Sequence, residues 1–80
     1  MKTILVVDDS IVMRNIVKNT FSMLKIPSQY LEAEDGIKAL QLLERNKVDL
    51  VLLDWNMPNM DGMEFLKRIR ANPEYENLPV

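Results

Sequence analysis

The chain contains 80 residues, of which 48% are hydrophobic and 28% are charged, and its formal net charge is −2. This length allows one domain at most, and the composition is typical of a soluble globular protein. Because the sequence has neither cysteine nor histidine, it excludes disulfides, Cys/His zinc sites, Ser-His triads and histidine general bases. Any bound metal must therefore be held by oxygen ligands, which favours Mg²⁺ or a similar hard cation.

Positive and negative residues are mixed along the chain, without a basic block that would indicate nucleic-acid binding or a membrane surface. The longest apolar runs, at residues 4–7 and 50–53, are too short to cross a membrane. Met1-Lys2 leads directly into a short run that ends in acids, which is not a signal peptide. We therefore expect a cytoplasmic protein that contacts neither nucleic acid nor a membrane.

The first half of the chain predicts a strand, a helix and a second strand. Residues 4–7 are apolar and mostly β-branched, as in a buried strand, and Ser10 can cap the helix that follows. Pro27 is expected to close this segment, and the polar residues within 29–33 indicate a weaker strand at the sheet edge. The apolar residues of the first helix recur at helical spacing: Val12, Met13, Ile16, Val17, Phe21 and Leu24.

The second half repeats this alternation. A helix that starts near Gly36 carries Ile37, Leu40 and Leu43 on one predicted face, and the apolar run at 50–53 predicts a third strand. Pro, Asn, Asp and Gly within residues 56–62 indicate a loop. The last predicted helix follows this loop, ends before Pro73, and has an inward face: Phe65, Leu66 and Ile69.

The resulting βαβαβα order predicts an α/β fold with a parallel sheet, because strands without polar alternation need cover on both faces. Right-handed crossovers place the first two helices on opposite faces if the first strand lies between the other two, in the order 2-1-3. The carboxyl ends of strands 1 and 3 then lie side by side, where a doubly wound sheet binds its ligands.

Acidic residues end both of these strands. Asp8 and Asp9 follow the first strand, and Asp54 follows the third. A single Asp at a strand end is more often a turn former or a helix cap, but gathered carboxylates repel one another unless a cation is present. A divalent ion relieves this repulsion, and hydrated Mg²⁺ also bridges to phosphate oxygens. We therefore predict a cation site from the convergence of the acids.

These residues also carry a family resemblance. The segment VVDDS at residues 6–10 resembles the acidic-pair motif of response-regulator receiver domains of the CheY-like type. Residues 32–36 (EAEDG) and 39–40 (AL) are similar to the second strand and helix of that family. Residues 49–58 (DLVLLDWNMP) and 60–62 (MDG) are similar to its phosphoacceptor strand and loop. The resemblance covers essentially the whole chain and implies a flavodoxin-like doubly wound sheet.

The resemblance assigns roles to individual residues. Asp54 would be the phosphoacceptor, Asp9 would bind Mg²⁺ directly, and Asp8 would bind it directly or through water. Asn56 would offer its backbone carbonyl to the ion. A sensor histidine kinase or a small phosphodonor would supply the phosphoryl group. The protein would thus be a two-component signalling module and not an enzyme.

For the loop residues around the acids, the resemblance implies less specific roles. Pro58 and Gly62 would shape the loop, and Trp55 would sit beside the site without a required chemical role. Met57 and Met60 are expected to fill gaps between apolar groups rather than to act chemically.

The resemblance also predicts what the 80 residues lack. The family has five strands and five helices, so we expect residues 1–80 to be an incomplete receiver domain without the fourth and fifth strands and helices. A Ser or Thr at the end of the fourth strand and a Lys at the end of the fifth would contact the phosphoryl group in the family. We therefore expect phosphorylation of this chain to be impaired.

The sequence leaves two other functions open as alternatives. A Mg²⁺-dependent phosphohydrolase with an aspartyl nucleophile would need an acid two positions after Asp54, where this sequence has Asn56. A structural, self-associating fragment is the other alternative, because the outer side of the third strand would lack its partner. For the same reason we expect a homo-oligomer that forms through this strand.

Overall fold

The computed structural model describes residues 1–54 and 62–80. Strands and helices alternate in these ranges in the predicted order. The first two strands begin slightly before their predicted first residues, and the third begins at the predicted residue. The elements are β1 Lys2–Val7, α1 Ile11–Met23, β2 Ser28–Ala33, α2 Gly36–Arg45, β3 Leu50–Leu53, α3 Gly62–Arg70 and a 3-10 turn at Pro73–Tyr75.

The strands form a parallel sheet in the order β2-β1-β3, which confirms the predicted order. The central strand β1 is buried from Ile4 to Val7, which explains why its sequence lacks polar alternation. At the carboxyl end of the sheet, Val7 lies level with Ala33 on one side and with Leu53 on the other. Residues that follow these strands therefore meet at one edge of the sheet.

The main core lies between the sheet and the layer formed by α2 and α3. Leu5 and Val7 of β1 and Val51 of β3 pack there with Phe65 and Ile69 of α3, all of them almost fully buried. Phe65 and Ile69 of α3 are buried as predicted, whereas the third predicted residue, Leu66, is half-buried against the core. The opposite face of the sheet is covered by α1, which contacts β1 and β2, so the helices lie on both faces as the right-handed crossovers required.

Helix α1 covers its face only partly. It has no buried residue, and Val12 and Ile16 keep 63% and 50% of their surface exposed. Its apolar stripe therefore remains largely accessible to another apolar surface.

Helix α2 packs Leu43 and part of Leu40 against the core, as predicted, but Ile37 lies outside its inner face. The buried residues are Gly36, Ala39 and Leu43, whereas Ile37 is 46% exposed and Leu40 is half-buried. The small side chains at positions 36 and 39 let the helix approach the sheet closely, and they lie on the same face as Leu43. Apolarity alone therefore predicted the wrong position for Ile37.

The helix starts are fixed by side chains. Ser10 caps α1, as predicted, because its Oγ accepts a hydrogen bond from the Met13 N–H at 3.3 Å. Asp35 caps α2 in the same way, by accepting from the Lys38 N–H at 2.8 Å.

Helix α1 ends earlier than Pro27 had suggested. Its last residue is Met23, and Lys25 adopts a left-handed conformation with φ of 57°. The backbone then closes the helix with two hydrogen bonds, from Lys25 N–H to Ser22 O and from Ile26 N–H to Phe21 O. This pattern is a Schellman motif, so the stop signal is local backbone geometry rather than the proline.

The outer edge of β3 is not fully open, which corrects the expectation of an unpaired edge. The Val51 N–H donates to the carbonyl oxygen of Pro79 at 2.9 Å. Beside this bond, a cavity of about 400 Å³ lies between β3, Leu66, Arg70 and Val80. The terminal residues thus satisfy one polar group of the edge and leave its apolar neighbours partly uncovered.

No helix in the described ranges is both long enough and apolar enough to cross a bilayer. The expectation of a cytoplasmic location stays a prediction.

Candidate functional site

The acidic residues are placed by the ends of two neighbouring strands. Asp8 and Asp9 follow β1, and Asp54 follows β3. The ladder continues beyond the strands, because the Asp8 N–H donates to Ala33 O at 3.0 Å and the Asp54 N–H donates to Val7 O at 2.9 Å. The backbones of Asp8 and Asp54 are therefore held by hydrogen bonds to the neighbouring strands β2 and β1.

The three side chains converge. Asp8, Asp9 and Asp54 each offer one carboxylate oxygen, and these oxygens all lie within 4.8 Å of one another. Asp8 and Asp54 are half-buried and Asp9 is exposed, so the cluster is open to solvent on one side. The convergence expected from the strand order is thus present, while the roles of these residues as metal ligands and phosphoacceptor stay predictions.

The cluster has the chemistry that a hard cation requires. Oxygens bound to one octahedral Mg²⁺ lie about 3 Å apart when adjacent and about 4.2 Å apart when opposite, given a Mg–O distance of about 2.1 Å. A separation of up to 4.8 Å is slightly wider than this. The three carboxylates are therefore close enough together to share one hard cation such as Mg²⁺.

Some predicted site residues lie outside the described residues. These are Asn56, with the backbone carbonyl expected to face the ion, together with Trp55, Met57, Pro58 and Met60. Gly62 is described: it is the buried first residue of α3.

The start of α1 orients Asp8. Its Oδ1 accepts a hydrogen bond from the Ser10 N–H at 2.9 Å, which is a local turn of the kind that Asp favours. Ser10 in turn caps α1. The acid pair is therefore tied to the helix that follows it as well as to the sheet that precedes it.

A charged cluster that the sequence analysis missed lies beside the acids. Arg14 Nη1 donates to the backbone carbonyl of Asp8 at 2.6 Å, and its Nε donates to Glu32 Oε1 at 3.0 Å. Lys18 Nζ binds the other oxygen of Glu32, also at 3.0 Å. The signal in the sequence is the i, i+4 spacing of Arg14 and Lys18, which places two cations on one face of α1.

The two cations change the acidity of their shared partner. The hydrogen bond from Lys18 lowers the pKa of Glu32 below its ordinary value of 4.5; the bond from Arg14 and the charges of both cations act in the same direction, and burial opposes them. Glu32 is therefore held in its charged form at neutral pH.

Asp8 and Asp54 line a small pocket and not the larger cavity of the described residues. A pocket of about 240 Å³ borders the acids between α1 and the sheet, and its lining includes Asp8, Asp54 and Val17. A larger cavity of about 620 Å³ lies between the α2–β3 connection and residues 73–79, and none of the three acids lines it. The small volume of the pocket at the acids suits an ion or a small anion better than a large organic ligand.

A family model and the relatives of known sequence both identify the same family. The family model described as the response regulator receiver domain matches residues 4–80. A chemotaxis protein CheY homolog of Campylobacter jejuni is 47% identical over 78 residues, which are 96% of this chain and 59% of the relative. The chain therefore spans about three fifths of the length of that relative.

Solved structures agree. The Mn²⁺-bound form of the response regulator Rcp1 has a TM-score of 0.92 and 31% identity, and covers 100% of this chain and 63% of its own. The response regulator TrrA of Thermotoga maritima, in complex with Mg²⁺-BeF, has a TM-score of 0.83 and 35% identity, with 92% of this chain and 63% of its own covered. Both resemble this chain along most of its length.

Proposed function

Since the chain belongs to the family of response regulator receiver domains, we propose that it is a phosphoacceptor module of two-component signalling and that Asp54 accepts the phosphoryl group. The observation that supports this most directly is the convergence of Asp8, Asp9 and Asp54 within 4.8 Å at the ends of β1 and β3. The module is a substrate of phosphoryl transfer rather than an enzyme that turns over a substrate of its own.

In the proposed reaction, a carboxylate oxygen of Asp54 attacks the phosphorus atom of the donor. The new P–O bond forms as the bond from phosphorus to the donor breaks, and the leaving group keeps the electron pair. The donor is a phosphohistidine of a sensor kinase or a small acyl phosphate. The product is a mixed anhydride between the Asp54 carboxyl group and the phosphoryl group.

Asp8, Asp9 and Asp54 would hold Mg²⁺, with the backbone carbonyl of Asn56 as a further oxygen donor. A bound Mg²⁺ ion supplies neutralisation of the charge on the transferring phosphoryl oxygens. The metal-bound structures of TrrA and Rcp1, whose sequences are related to this one, support this choice of ligand. The chain itself holds the backbone of the nucleophile Asp54 in position, because the Asp54 N–H donates a hydrogen bond to the Val7 carbonyl oxygen.

The test is phosphorylation of Asp54 by a small phosphodonor. We expect acetyl phosphate with Mg²⁺ to label Asp54, because its carboxylate converges with those of Asp8 and Asp9. Mass spectrometry at low pH, which preserves the acyl phosphate, detects the product.

Two variants sharpen this test. Asp54→Asn should abolish the label. Asp49→Asn is the matched control at the other end of β3, where the Asp49 carboxylate accepts from the Thr3 N–H at 2.8 Å and an amide oxygen can do the same. Label that persists in Asp54→Asn, or that does not depend on Mg²⁺, would reject the proposed site.

Self-association is a second candidate, favoured by the exposed apolar side chains of α1. Ile11 and Val12 are each 63% exposed and Ile16 is 50% exposed, and a second copy of the chain could cover them while pairing with the edge of β3. The bond from Val51 to Pro79 reduces the open edge but leaves the apolar surface. We therefore propose a homo-oligomer as the state in which this surface is buried.

Light scattering after gel filtration measures the oligomeric state. We expect a mass above that of a monomer, and expect Ile16→Glu to lower it, because a charge cannot be buried there without a partner. Lys25→Glu, in the turn that follows the same helix, serves as the control. A compact monomer that unfolds cooperatively at high concentration would contradict the self-association.

A further inference from the structure

Arg14 links the acidic cluster to the edge of the sheet. Its guanidinium group donates to the Asp8 carbonyl at 2.6 Å and to the Glu32 carboxylate at 3.0 Å, with only 14% of the side chain exposed. We propose that Arg14 is a positioning residue for cation binding: it fixes the peptide between Asp8 and Asp9 so that both carboxylates face Asp54. This inference rests on the proposed function.

The argument begins with the peptide that Arg14 contacts. The carbonyl group of Asp8 belongs to the planar peptide that joins Asp8 to Asp9. Rotation of this peptide would change the direction in which the Asp9 side chain leaves the backbone. The Asp8 N–H is already held by Ala33 O, and the Asp8 carboxylate by the Ser10 N–H. The bond from Arg14 fixes the remaining polar group, which is the one closest in the chain to Asp9.

Glu32 holds Arg14 in place. Strand register sets Glu32 level with Val6, two positions before Asp8, so its carboxylate is anchored on β2 beside the end of β1. A guanidinium group is planar and offers donors in a rigid fork, so one side chain can bind both a carbonyl and a carboxylate. The ammonium group of a lysine is a compact point charge and cannot reproduce this geometry.

Positioning and simple charge effects predict opposite results. Arg14 is a cation near a site proposed for a divalent cation, so Coulomb repulsion alone would weaken Mg²⁺ binding. If Arg14 acts only through its charge, its removal should tighten Mg²⁺ binding. If Arg14 orients the acid pair, its removal should weaken binding, although a positive charge is lost. The sign of the change in affinity therefore distinguishes the two.

Lys18 provides a matched control. It binds the other oxygen of the Glu32 carboxylate, so Lys18→Met removes a cation from the same surroundings and leaves the bond from Arg14 to Asp8 in place. We expect Arg14→Met to raise the dissociation constant for Mg²⁺ by about tenfold, which is the lower end for loss of a group that orients metal ligands. Lys18→Met should leave it unchanged or lower it. Isothermal calorimetry measures both.

A second measurement needs no metal. The carbonyl ¹³C resonance of Asp8 and the amide resonance of Asp9 report the contacted peptide directly. In the Mg²⁺-free protein both should shift in Arg14→Met and stay in place in Lys18→Met. Arg14→Lys keeps the positive charge but lacks the planar guanidinium group, so its resonances and its Mg²⁺ affinity should change as in Arg14→Met. Arg14→Lys also serves as the test variant if Arg14→Met does not fold.

The outcomes separate this inference from the proposed function. If the unmodified chain does not bind Mg²⁺, the proposed cation site fails, and the Asp8 resonance still tests whether Arg14 fixes the peptide. If the chain binds Mg²⁺ and the Arg14 variants bind it equally well or more tightly, the positioning role is rejected. Equal weakening in Arg14→Met and Lys18→Met would also reject it, since that would indicate a general effect on the fold.

Discussion

Val51 in β3 donates its backbone N–H to the carbonyl oxygen of Pro79 at 2.9 Å, so the end of the chain returns to the outer edge of the sheet. Arg70 organises this return. Its Nη1 donates to Tyr75 O at 2.8 Å and to Glu76 O at 3.3 Å, and its Nη2 donates to Leu78 O at 2.9 Å. One arginine thus holds the terminal segment in the position from which it reaches Val51.

We expect Arg70→Ala to release the terminal segment. Loss of these charge-assisted bonds should lower the free energy of unfolding by about 1 kcal/mol, since the side chain is exposed, and should speed hydrogen exchange at the Val51 amide. Urea unfolding and exchange measured by NMR test this. Arg68→Ala, which removes an exposed i, i+4 pair with Glu64, should cost less than about 0.5 kcal/mol. An unchanged exchange rate at Val51 would contradict the role of Arg70.

Mg²⁺ binding should depend on Asp9 far more than on neighbouring acids outside the cluster. We expect Asp9→Ala to weaken binding strongly, because it removes one of the converging carboxylates. Glu34→Ala, which removes an exposed acid just after β2, should have little effect. Trp55 is the sole tryptophan and follows Asp54 in the sequence, so its fluorescence can report the titration. A titration without change in fluorescence, confirmed by calorimetry, would argue against the site.

Acid should destabilise the fold partly through Glu32. The hydrogen bond from Lys18, helped by Arg14, lowers the pKa of Glu32 below its ordinary 4.5. A carboxyl group with a lowered pKa in the folded state contributes stability above the unfolded pKa and loses it as the pH falls through the folded pKa. The free energy of unfolding should therefore decrease below about pH 4.5, and Glu32→Gln should show a smaller decrease.

Urea unfolding from pH 7 to pH 3 measures this difference, and the side-chain carbonyl ¹³C resonance of Glu32 measures its titration directly. Glu44→Gln, at an exposed position of α2, is the control and should keep the pH dependence of the unmodified chain. If Glu32→Gln and the unmodified chain lose stability in parallel, the two cations do not stabilise the charged form of Glu32.

Lys25→Gly should stabilise the chain. Lys25 occupies the left-handed position of the Schellman motif after α1 with φ of 57°, which costs a residue with a Cβ atom about 1 kcal/mol relative to glycine. Thermal unfolding followed by circular dichroism should show a higher midpoint. Lys25→Ala removes the same side chain but keeps the Cβ atom, so it should give no such gain. A lower midpoint for the glycine variant would contradict this.

Much of the fold could be predicted because its signals are local. The runs at residues 4–7 and 50–53 are short, apolar and without polar alternation, a pattern that is typical of buried parallel strands. With β1 between β2 and β3, chain connectivity alone brings Asp8, Asp9 and Asp54 to one edge. The acids of the candidate site could therefore be named from their positions in the sequence.

The remaining features depend on how the elements pack. The inner face of α2 follows the small residues Gly36 and Ala39, because a close approach to the sheet excludes a large side chain whatever its apolarity. The end of α1 depends on a single left-handed residue, Lys25, which has no sequence signal when the residue is not glycine or asparagine.

The buried strands, the acids that follow them and the family motifs could be predicted because they depend on residue type and on spacing along the chain. The contacts of Arg14 with both Asp8 and Glu32, and the hydrogen bond between Val51 and Pro79, could be found only in the folded chain. Arg14 and Glu32 lie on different elements, so their contact requires the rotation of α1 and the register of β2 at the same time. Contacts of this kind depend on how the elements pack against one another, so they could not be predicted from the sequence.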